Sequence, residues 1–442
     1  MKIRLSDHFS YRKLLRYALP SILMMVFVSI YGVVDGYFIS NYTGKTPFAA
    51  VNIIMPFVML LGTLGFMVGA GGSALIGKYL GEERTEDARR LFSMLVWLSA
   101  AASVLIALGG QLALEPVARA LGADETMLPY CVRYGRVVLL GLPALVLQFE
   151  FHAFFPVAEK PQLGLYVTVA AGVMNIVLDW LLVGILRLDV EGAAAATAIS
   201  QAVGGLVPVV YFLCPNKSLL RLGKPCFDGK ALGKVLGNGS SEFVSNVSMS
   251  VVGMLYNGQL MKYAGENGVA AYGVLMYVCF VFISIFIGFS VGTAPVISYH
   301  FGAGDRRELR NLFHKSLRIL LCFAVVMLAA GELLARPLSE LYVGKDPELM
   351  EMTLRAFRIF SFSFLFCAAP IYGSAFFTAL NDGKTSAAIS FLRTLVLQVA
   401  AVLLLPLIFG LDGIWFSLVA AELAATLVTV VFWVVKQPSY HY

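Results

Sequence analysis

Six ionisable side chains interrupt long apolar stretches of the sequence, where hydrocarbon or a protein interior would surround them. They are Asp35, Glu150, Asp179, Glu242, Arg393 and Glu422. A charged side chain near the centre of a bilayer is costly, and such residues usually face a transport pathway or take part in proton transfer. Each of the six is therefore a candidate functional residue.

Asp35 and Asp179 are predicted to form one ion-binding site together with two neutral oxygen donors. Asn175 precedes Asp179 by four residues, so both side chains share one helix face. At a rise of ~1.5 Å per residue, Asp35, Asp179 and Thr197 all fall about 7–10 Å below the outer ends of their spans. Two close carboxylates at low dielectric cannot both stay ionised cheaply, so at least one should bind a proton. The Asn and Thr oxygens could instead complete a hard-ligand cage for Na⁺.

A second candidate set lies nearer the inner ends of the spans. Glu242, Glu150 and Arg393 fall about 12–15 Å from that end, and Glu422 falls near mid-span. An arginine buried with carboxylate neighbours could be a structural ion pair or part of a substrate path. Both interpretations stay open at the level of the sequence.

The composition provides the membrane-spanning helices that these residues require. Of 442 residues, 59% are apolar and 14% are charged, whereas soluble globular proteins carry ~25% charged residues. The mean hydropathy is +0.80. Lys, Arg, Asp and Glu are absent from four long runs, 46–77, 91–114, 192–216 and 267–304. In lipid such runs must be helices, because unpaired backbone groups find no partner there. A cytosolic enzyme and a transmembrane β-barrel are both excluded.

We therefore predict an all-α polytopic membrane protein with twelve transmembrane helices in two pseudo-symmetric six-helix bundles. The spans are expected at about 17–40, 46–77, 91–114, 137–158, 163–186, 192–213, 238–261, 268–299, 312–334, 356–380, 385–410 and 412–435. No A-x-A-like site follows the first span, which is expected to remain uncleaved.

The chain repeats itself, which indicates two lobes. Segment 77–92 aligns with segment 298–313 at an offset of 221 residues. We expect an N-terminal lobe over 1–213, a basic cytoplasmic linker over 214–237 and a C-terminal lobe over 238–442. Both lobes then insert in the same direction, about an axis along the membrane normal, as in alternating-access transporters with a site between their halves.

The repeat also bears on the role of the outer acids. Asp35 and Asp179 could simply form interhelical hydrogen bonds, or lie shallow enough to be hydrated. By the repeat offset, however, Asp35 falls on Tyr256 and Asp179 falls on Ala401. Equivalent packing in the second half thus needs no acid, which favours an ion-binding role in the first.

Charge in the loops predicts the orientation. With the N-terminus inside, inner segments hold 22 Lys and Arg residues and outer loops hold 10. This bias favours both termini in the cytoplasm. It also explains the net charge of +6 without nucleic-acid binding. The six cysteines show no metal-ligand spacing and are expected to be free thiols.

Several functional classes do not fit. The chain has no Walker A loop and no soluble stretch long enough for a nucleotide-binding domain, so energy must come from a gradient or a separate subunit. We expect no enzyme activity and no cofactor. A channel is disfavoured because no filter motif interrupts a span, and a scaffold or sensor role lacks any additional soluble domain.

Together, these motifs resemble the MATE (multidrug and toxic compound extrusion) transporters of prokaryotic type. The residues that carry the resemblance are Pro20, Asp35, Asn175, Asp179 and Thr197. The resemblance implies export of amphipathic or cationic drugs or metabolites against H⁺ or Na⁺ by a monomer in a bacterial or archaeal plasma membrane. It further implies that the last four residues hold the coupling ion and that the first span bends near Pro20.

Glu242 resembles an acid that is common in the seventh span of this family.

The alternative function is a flippase for lipid-linked oligosaccharide or peptidoglycan precursors, which shares the plan of two bundles. A flippase would be expected to have a strongly basic central cavity, whereas Arg393 is the one cation expected deep in the membrane, since Lys315, Arg318 and Arg358 fall near the ends of their predicted spans. The sequence specifies neither the natural substrate nor the choice between H⁺ and Na⁺.

Overall fold

The computed structural model describes residues 3–344 and 346–442, and all regular secondary structure in these ranges is helical. The α-helices are α1 (Tyr11–Tyr42), α2 (Lys45–Gly81), α3 (Thr85–Ala120), α4 (Leu128–Leu140), α5 (Leu142–Val157), α6 (Pro161–Leu178), α7 (Asp189–Leu213), α8 (Gly229–Gly302), α9 (Arg306–Val343), α10 (Pro347–Ser361), α11 (Ser363–Ala379), α12 (Gly383–Phe391), α13 (Gln398–Phe409) and α14 (Leu411–Tyr440). Two π-helical segments, π1 (Asp179–Ile185) and π2 (Leu392–Leu397), continue α6 and join α12 to α13.

The helices account for the twelve expected spans. Within the described ranges, nine helices are long and apolar enough to cross a membrane, and two bent pairs raise this number to 11. One of the nine, α8, has 74 residues, which at ~1.5 Å per residue would extend about 110 Å. It contains two spans, because the backbone at Gly265 leaves the helical region at φ 60° and ψ −150°. The glycine permits this conformation at low cost.

The two bent pairs occupy corresponding positions in the two halves. The chain bends by 57° between α4 and α5, just before Pro143, and by 47° between α10 and α11. The breaks fall at Gly141 and Phe362, at the offset that the sequence repeat predicts. The bends therefore belong to the repeated architecture.

Segment 214–228, both chain ends and the α2–α3, α8–α9 and α11–α12 turns share one end of the bundle, which we call the linker face. Asp228 caps α8 by accepting hydrogen bonds from the Lys230 and Ala231 amides at 2.9 and 3.1 Å. Helix α8 therefore begins at Gly229, and the last nine residues of the predicted linker are helical.

The two halves pack closely at the linker face. Helix α8 contacts both α1 and α2. A methyl group added at Gly239 of α8 would overlap the Met67 carbonyl of α2, and one added at Gly81 of α2 would overlap the Tyr299 carbonyl of α8. These helices approach so closely because glycine has no side chain. The bundle is closed at the linker face.

The N-terminal segment 5–9 crosses the linker face and joins the two halves. The Leu5 amide donates to Glu159 Oε1 at 2.9 Å, and the Phe9 amide donates to Glu308 Oε1 at 2.8 Å. Glu159 follows α5 in the first half, whereas Glu308 lies in the first turn of α9 in the second. The segment therefore adds polar contacts to the closed face.

Candidate functional site

The structure brings Asp35 and Asp179 together. Asp35 lies on α1 and Asp179 is the first residue of π1, and α1 packs against both α6 and π1. The two carboxyl groups face each other within hydrogen-bonding range. The side chain of Asp179 is fully buried. The two acids thus share one chamber instead of pointing apart into lipid or water.

The π-helix explains how Asp179 is presented. The Asp179 amide still donates to the carbonyls of Asn175 and Ile176, four and three residues earlier. The wider turn follows it, and at its end the Leu186 amide donates to the Leu181 carbonyl five residues earlier. Such local widening shifts the register of the following residues and occurs frequently at functional sites. The sequence predicts an uninterrupted helix here, because no residue type marks a π-turn.

The two predicted neutral donors lie on the same helices or their neighbours. Asn175 is 2% exposed on α6, and no N–H or O–H in the described part of the chain donates to its Oδ1 atom. Thr197, on α7, lies beside the Tyr134 hydroxyl of α4. Helix α7 packs against α6 and π1. All four predicted cation-coupling residues therefore belong to one group of packed helices.

Three further polar residues, Tyr31, Tyr134 and Gln148, surround the acids and are not predicted from the sequence. The Tyr134 hydroxyl lies close enough to both aspartates to interact electrostatically with them. Tyr31 of α1 lies beside Gln148 of α5 and near Asp35. Neutral polar residues are common in membrane helices, so these carried no distinctive signal. Tyr31 lies four residues before Asp35, and this helical spacing is the one clue the sequence contained.

The arrangement can hold a small cation. No donor in the described residues makes a hydrogen bond to either carboxylate oxygen of Asp179 or to Oδ1 of Asp35. Facing carboxylates repel each other unless a proton or cation lies between them. Carboxylate, amide and hydroxyl oxygens are hard ligands that suit either H⁺ or Na⁺. The residues present thus fit the expected coupling ion.

In the second candidate set, Arg393 pairs with Glu422. The Arg393 Nε atom lies 3.0 and 2.9 Å from the two carboxylate oxygens of Glu422, and a terminal guanidinium nitrogen lies 2.8 Å from Oε1. Glu422 is 2% exposed. Arg393 lies in π2, so each π-helical segment contains one of the ionisable candidates. This bidentate geometry neutralises the buried arginine.

Glu150 and Glu242 are separate from that pair and differ from each other. Glu150 of α5 is fully buried beside Ser99 of α3, and neither of its oxygens has a hydrogen-bond donor in the described ranges. Glu242 of α8 is partly exposed. It lies one turn from Gly239, where α8 contacts α2, and thus next to the closed linker face.

Pro20, the predicted hinge, lies inside α1, which is continuous from Tyr11 to Tyr42. Its neighbours form the contact with α8: a methyl group at Gly288 would overlap the backbone of Ile22, and Gly292 packs against Ala18. The position at which proline removes a helix hydrogen bond is therefore also the position where α1 contacts the second half.

Comparisons with known proteins agree with this architecture of two repeated halves. The chain matches the MatE family over residues 20–181 and again over 243–404. The "Multidrug export protein MepA" of Staphylococcus haemolyticus is 26% identical over 416 residues, which span 93% of this chain and 90% of that protein. Among solved structures, "MATE in complex with MaL6" superposes with a TM-score of 0.93 at 22% identity, over 98% of each chain.

A second solved structure is described as the "outward-facing conformation of a multidrug resistance MATE family transporter of the MOP superfamily". It has a TM-score of 0.93 at 22% identity and covers 98% of this chain and 97% of that chain. At this identity the likeness concerns the fold, which the two structures share across nearly their whole lengths.

Proposed function

The chain belongs to the MatE family of multi-pass membrane transporters, and from this we propose that it exports multiple amphipathic or cationic compounds in exchange for a coupling cation. Relatives named as multidrug exporters match over nine-tenths of the chain, which supports drug-like substrates. The proposed energy source is a gradient of H⁺ or Na⁺, and the chain is a carrier and not an enzyme.

One observation carries the coupling mechanism: Asp35 and Asp179 face each other, and no donor among the described residues reaches either carboxylate oxygen of Asp179. We propose that Asp35, Asn175, Asp179 and Thr197 hold one H⁺ or Na⁺. With the ion bound, the two acids can remain close together. Without it they repel, which favours a different packing of α1 against α6 and α7. A cation that discriminates between two arrangements shifts their populations.

The proposed movement is an exchange between two lobes, 1–213 and 238–442, joined by the linker 214–237. Close packing of α2 on α8 closes the linker face in this arrangement, so a compound would leave from the opposite face. Pro20 is the proposed hinge, because α1 both contains Asp35 and contacts α8 beside this proline. Bending of α1 would then link the ion site to the contact between lobes.

Glu242 is proposed to attract cationic substrates through the negative charge of its carboxylate. It is partly exposed on α8 beside the closed face, whereas Glu150 is fully enclosed. An accessible carboxylate at the base of the space between lobes would favour positively charged compounds. The Arg393–Glu422 pair is proposed to be structural, since its charges already satisfy each other.

The flippase alternative receives no support from the second half. A pyrophosphate carrier needs unpaired cations in its cavity, and Arg393 is neutralised by Glu422.

We propose that the protein resides in a prokaryotic plasma membrane with its linker face in the cytoplasm. It would act as a monomer.

The test is transport by the full chain in proteoliposomes, with a proton or a sodium gradient imposed separately and a fluorescent organic cation as the cargo. One gradient should drive transport by the native protein, and Asp35→Asn and Asp179→Asn should each abolish it while the protein still inserts. Asp189→Asn is the matched control, because Asp189 lies at the opposite face in a weak surface pair with Arg133 at 3.4 Å. Unchanged coupled transport in both site variants would refute the proposal.

A further inference from the structure

A basic cavity of about 380 Å³ opens at the linker face, between the start of α1 and the start of α9. It is lined by five basic side chains, Arg307, Arg310, His314, Lys315 and Arg318, and by Tyr11 and Asn311. It is a wide depression open to the surface, which suits a headgroup that stays in contact with water. None of the residues that line it is acidic.

Helical spacing and two contacts with α1 build this cavity. The basic residues of α9 recur every three or four positions, which places them on one helix face. At the edge of that face, Arg318 donates to the Tyr11 hydroxyl at 2.8 Å, and Lys315 Nζ lies 5.4 Å from the centre of the Tyr11 ring. The cavity therefore joins a helix of the first half to a helix of the second.

The charges of this face are not compensated by the protein. Neither Arg307 nor Arg310 forms an ion pair with any residue that the structure describes. Glu308, the acid between them in sequence, is engaged by the Phe9 amide and by His8. Cations at neighbouring positions of one helix face repel each other. The amino end of α9 is already capped by the Asp305 carboxylate, so this repulsion between cations is the effect that an anion in the cavity would relieve.

The surroundings of the cavity indicate an anion attached to hydrocarbon. About one turn beyond Arg318, α9 exposes Leu321 to 61%, and a further turn along it exposes Val325 to 52%. Helix α1 likewise exposes Leu19 and Leu23 beyond its basic first turns. The cavity therefore lies at the boundary between water and the apolar belt. Basic pockets between helices at this depth bind anionic lipid headgroups.

We propose that the cavity between α1 and α9 binds the phosphate headgroup of an anionic glycerophospholipid, with the acyl chains lying against the exposed apolar face of α9. Arg307 and Arg310 make the charge-assisted contacts to the phosphate. The bound lipid bridges the two halves at the closed linker face and stabilises that closed arrangement.

The test titrates delipidated, full-length protein with phosphatidylglycerol and measures the bound fraction by native mass spectrometry. Arg307→Gln with Arg310→Gln should weaken binding about tenfold or more, because two cations that face the phosphate are lost. Neither side chain forms a hydrogen bond or an ion pair with any residue that the structure describes, so the change removes no such contact. The matched control is Lys230→Gln with Lys234→Gln, which removes two exposed cations from the linker-face end of α8 and should leave binding unchanged.

Two further arms distinguish other sources of binding. Inorganic phosphate at millimolar concentration should not displace the lipid, and zwitterionic phosphatidylcholine should not compete. Displacement by free phosphate, equal losses in both double variants, or unchanged binding in the Arg307/Arg310 variant would each overturn the proposal. Photoactivatable phosphatidylglycerol on the unmodified protein tests the location independently of folding. Labelling should map to residues 306–325 of α9 or to the facing first turns of α1, and labelling confined to other helices would contradict the assignment.

Discussion

At the scale of single residues, corresponding positions in the two halves carry different chemistry. Tyr256 stands where the repeat would place Asp35, and its hydroxyl lies 2.8 Å from Ser417 Oγ, while its ring stacks on Tyr272 at a centroid distance of 5.1 Å. This neutral pair satisfies its own hydrogen bonds. By contrast, both carboxylate oxygens of Asp179 and Oδ1 of Asp35 receive no hydrogen bond from the part of the chain that the structure describes. The asymmetry explains why we assign ion coupling to the first half alone.

The Arg393–Glu422 pair gives a residue-scale prediction about stability. Arg393→Leu alone should destabilise the protein by ~3–5 kcal/mol, because it leaves a buried carboxylate without its partner. Arg393→Leu combined with Glu422→Leu should recover most of that loss, since an apolar pair needs no compensation. Thermal unfolding in detergent measures both effects.

Transport by the same variants separates the two roles that the sequence left open. If the pair is structural, the double variant should regain coupled transport together with its stability. A stable double variant that remains inactive would instead assign the pair to the substrate path.

At the scale of helices and turns, the hydropathy pattern predicts most of the fold. The positions of the spans follow from it, because every residue of a span contributes to the signal. The predicted span 192–213 agrees with α7 to within three residues, whereas α9 begins six residues before and ends nine residues after the predicted span 312–334. Two features could not be predicted this way. The π-helical segments depend on a backbone hydrogen-bond pattern that no residue type marks, and the partner of Arg393 lies 29 residues away on another helix.

The candidate site was predicted incompletely for a related reason. An acid in an apolar run stands out by its desolvation cost, so Asp35 and Asp179 could be found individually. Their proximity depends on how α1 packs against π1, which the sequence repeat does not specify. Tyr31, Tyr134 and Gln148 are neutral, and only the folded structure places them around the acids.

The turn between α11 and α12 provides a pH-dependent prediction. Burial raises the pKa of Asp382, but hydrogen bonds from Thr385 and contacts with Lys436 and Tyr440 outweigh it and leave that pKa lowered. A lowered pKa favours the folded state at pH values above the unfolded value of ~3.9. This stabilisation is lost as the pH falls through the folded pKa.

Asp382→Asn should therefore lower the unfolding temperature at pH 7, and its difference from the native protein should shrink below about pH 4. Thermal unfolding between pH 3 and pH 7 measures this. A difference that stays constant over the whole range would show that the Asp382 charge contributes nothing.

Close packing of α2 on α8 gives a second prediction at this scale. Gly239→Val should separate these helices at the linker face, because the new side chain would overlap the Met67 carbonyl, and overpacking of this kind costs ~1–3 kcal/mol. Gly233→Val is the matched control in the same part of α8, before Gly265, where no described atom lies within 4 Å of the added carbon.

Spin labels at Glu86 and Ala303, both exposed at the linker face, report the separation in a background without the native cysteines. The Gly239 variant should show a longer and broader distance distribution than the native protein, and the Gly233 variant should not. A native-like distribution in the Gly239 variant would contradict the role of this contact in closure.

At the scale of the whole molecule, the proposed ion site and the closed face lie at opposite ends of the same helix. Helix α1 contains Asp35 towards one end, and near the other end it contacts α8 beside Pro20. A change in the packing of the two acids would therefore move α1, and through α1 it would alter the contact between the two halves. A carrier of this design needs no soluble domain to couple its ion to its cargo.

Ion release from the purified protein tests this account most directly. A cationic drug is added to the native protein in weakly buffered solution, and released protons and released Na⁺ are measured together. We expect the native protein and Asp189→Asn to release one kind of ion on binding the drug, and Asp35→Asn and Asp179→Asn to release none. Undiminished release from both site variants would contradict the claim that these two aspartates share the coupling ion.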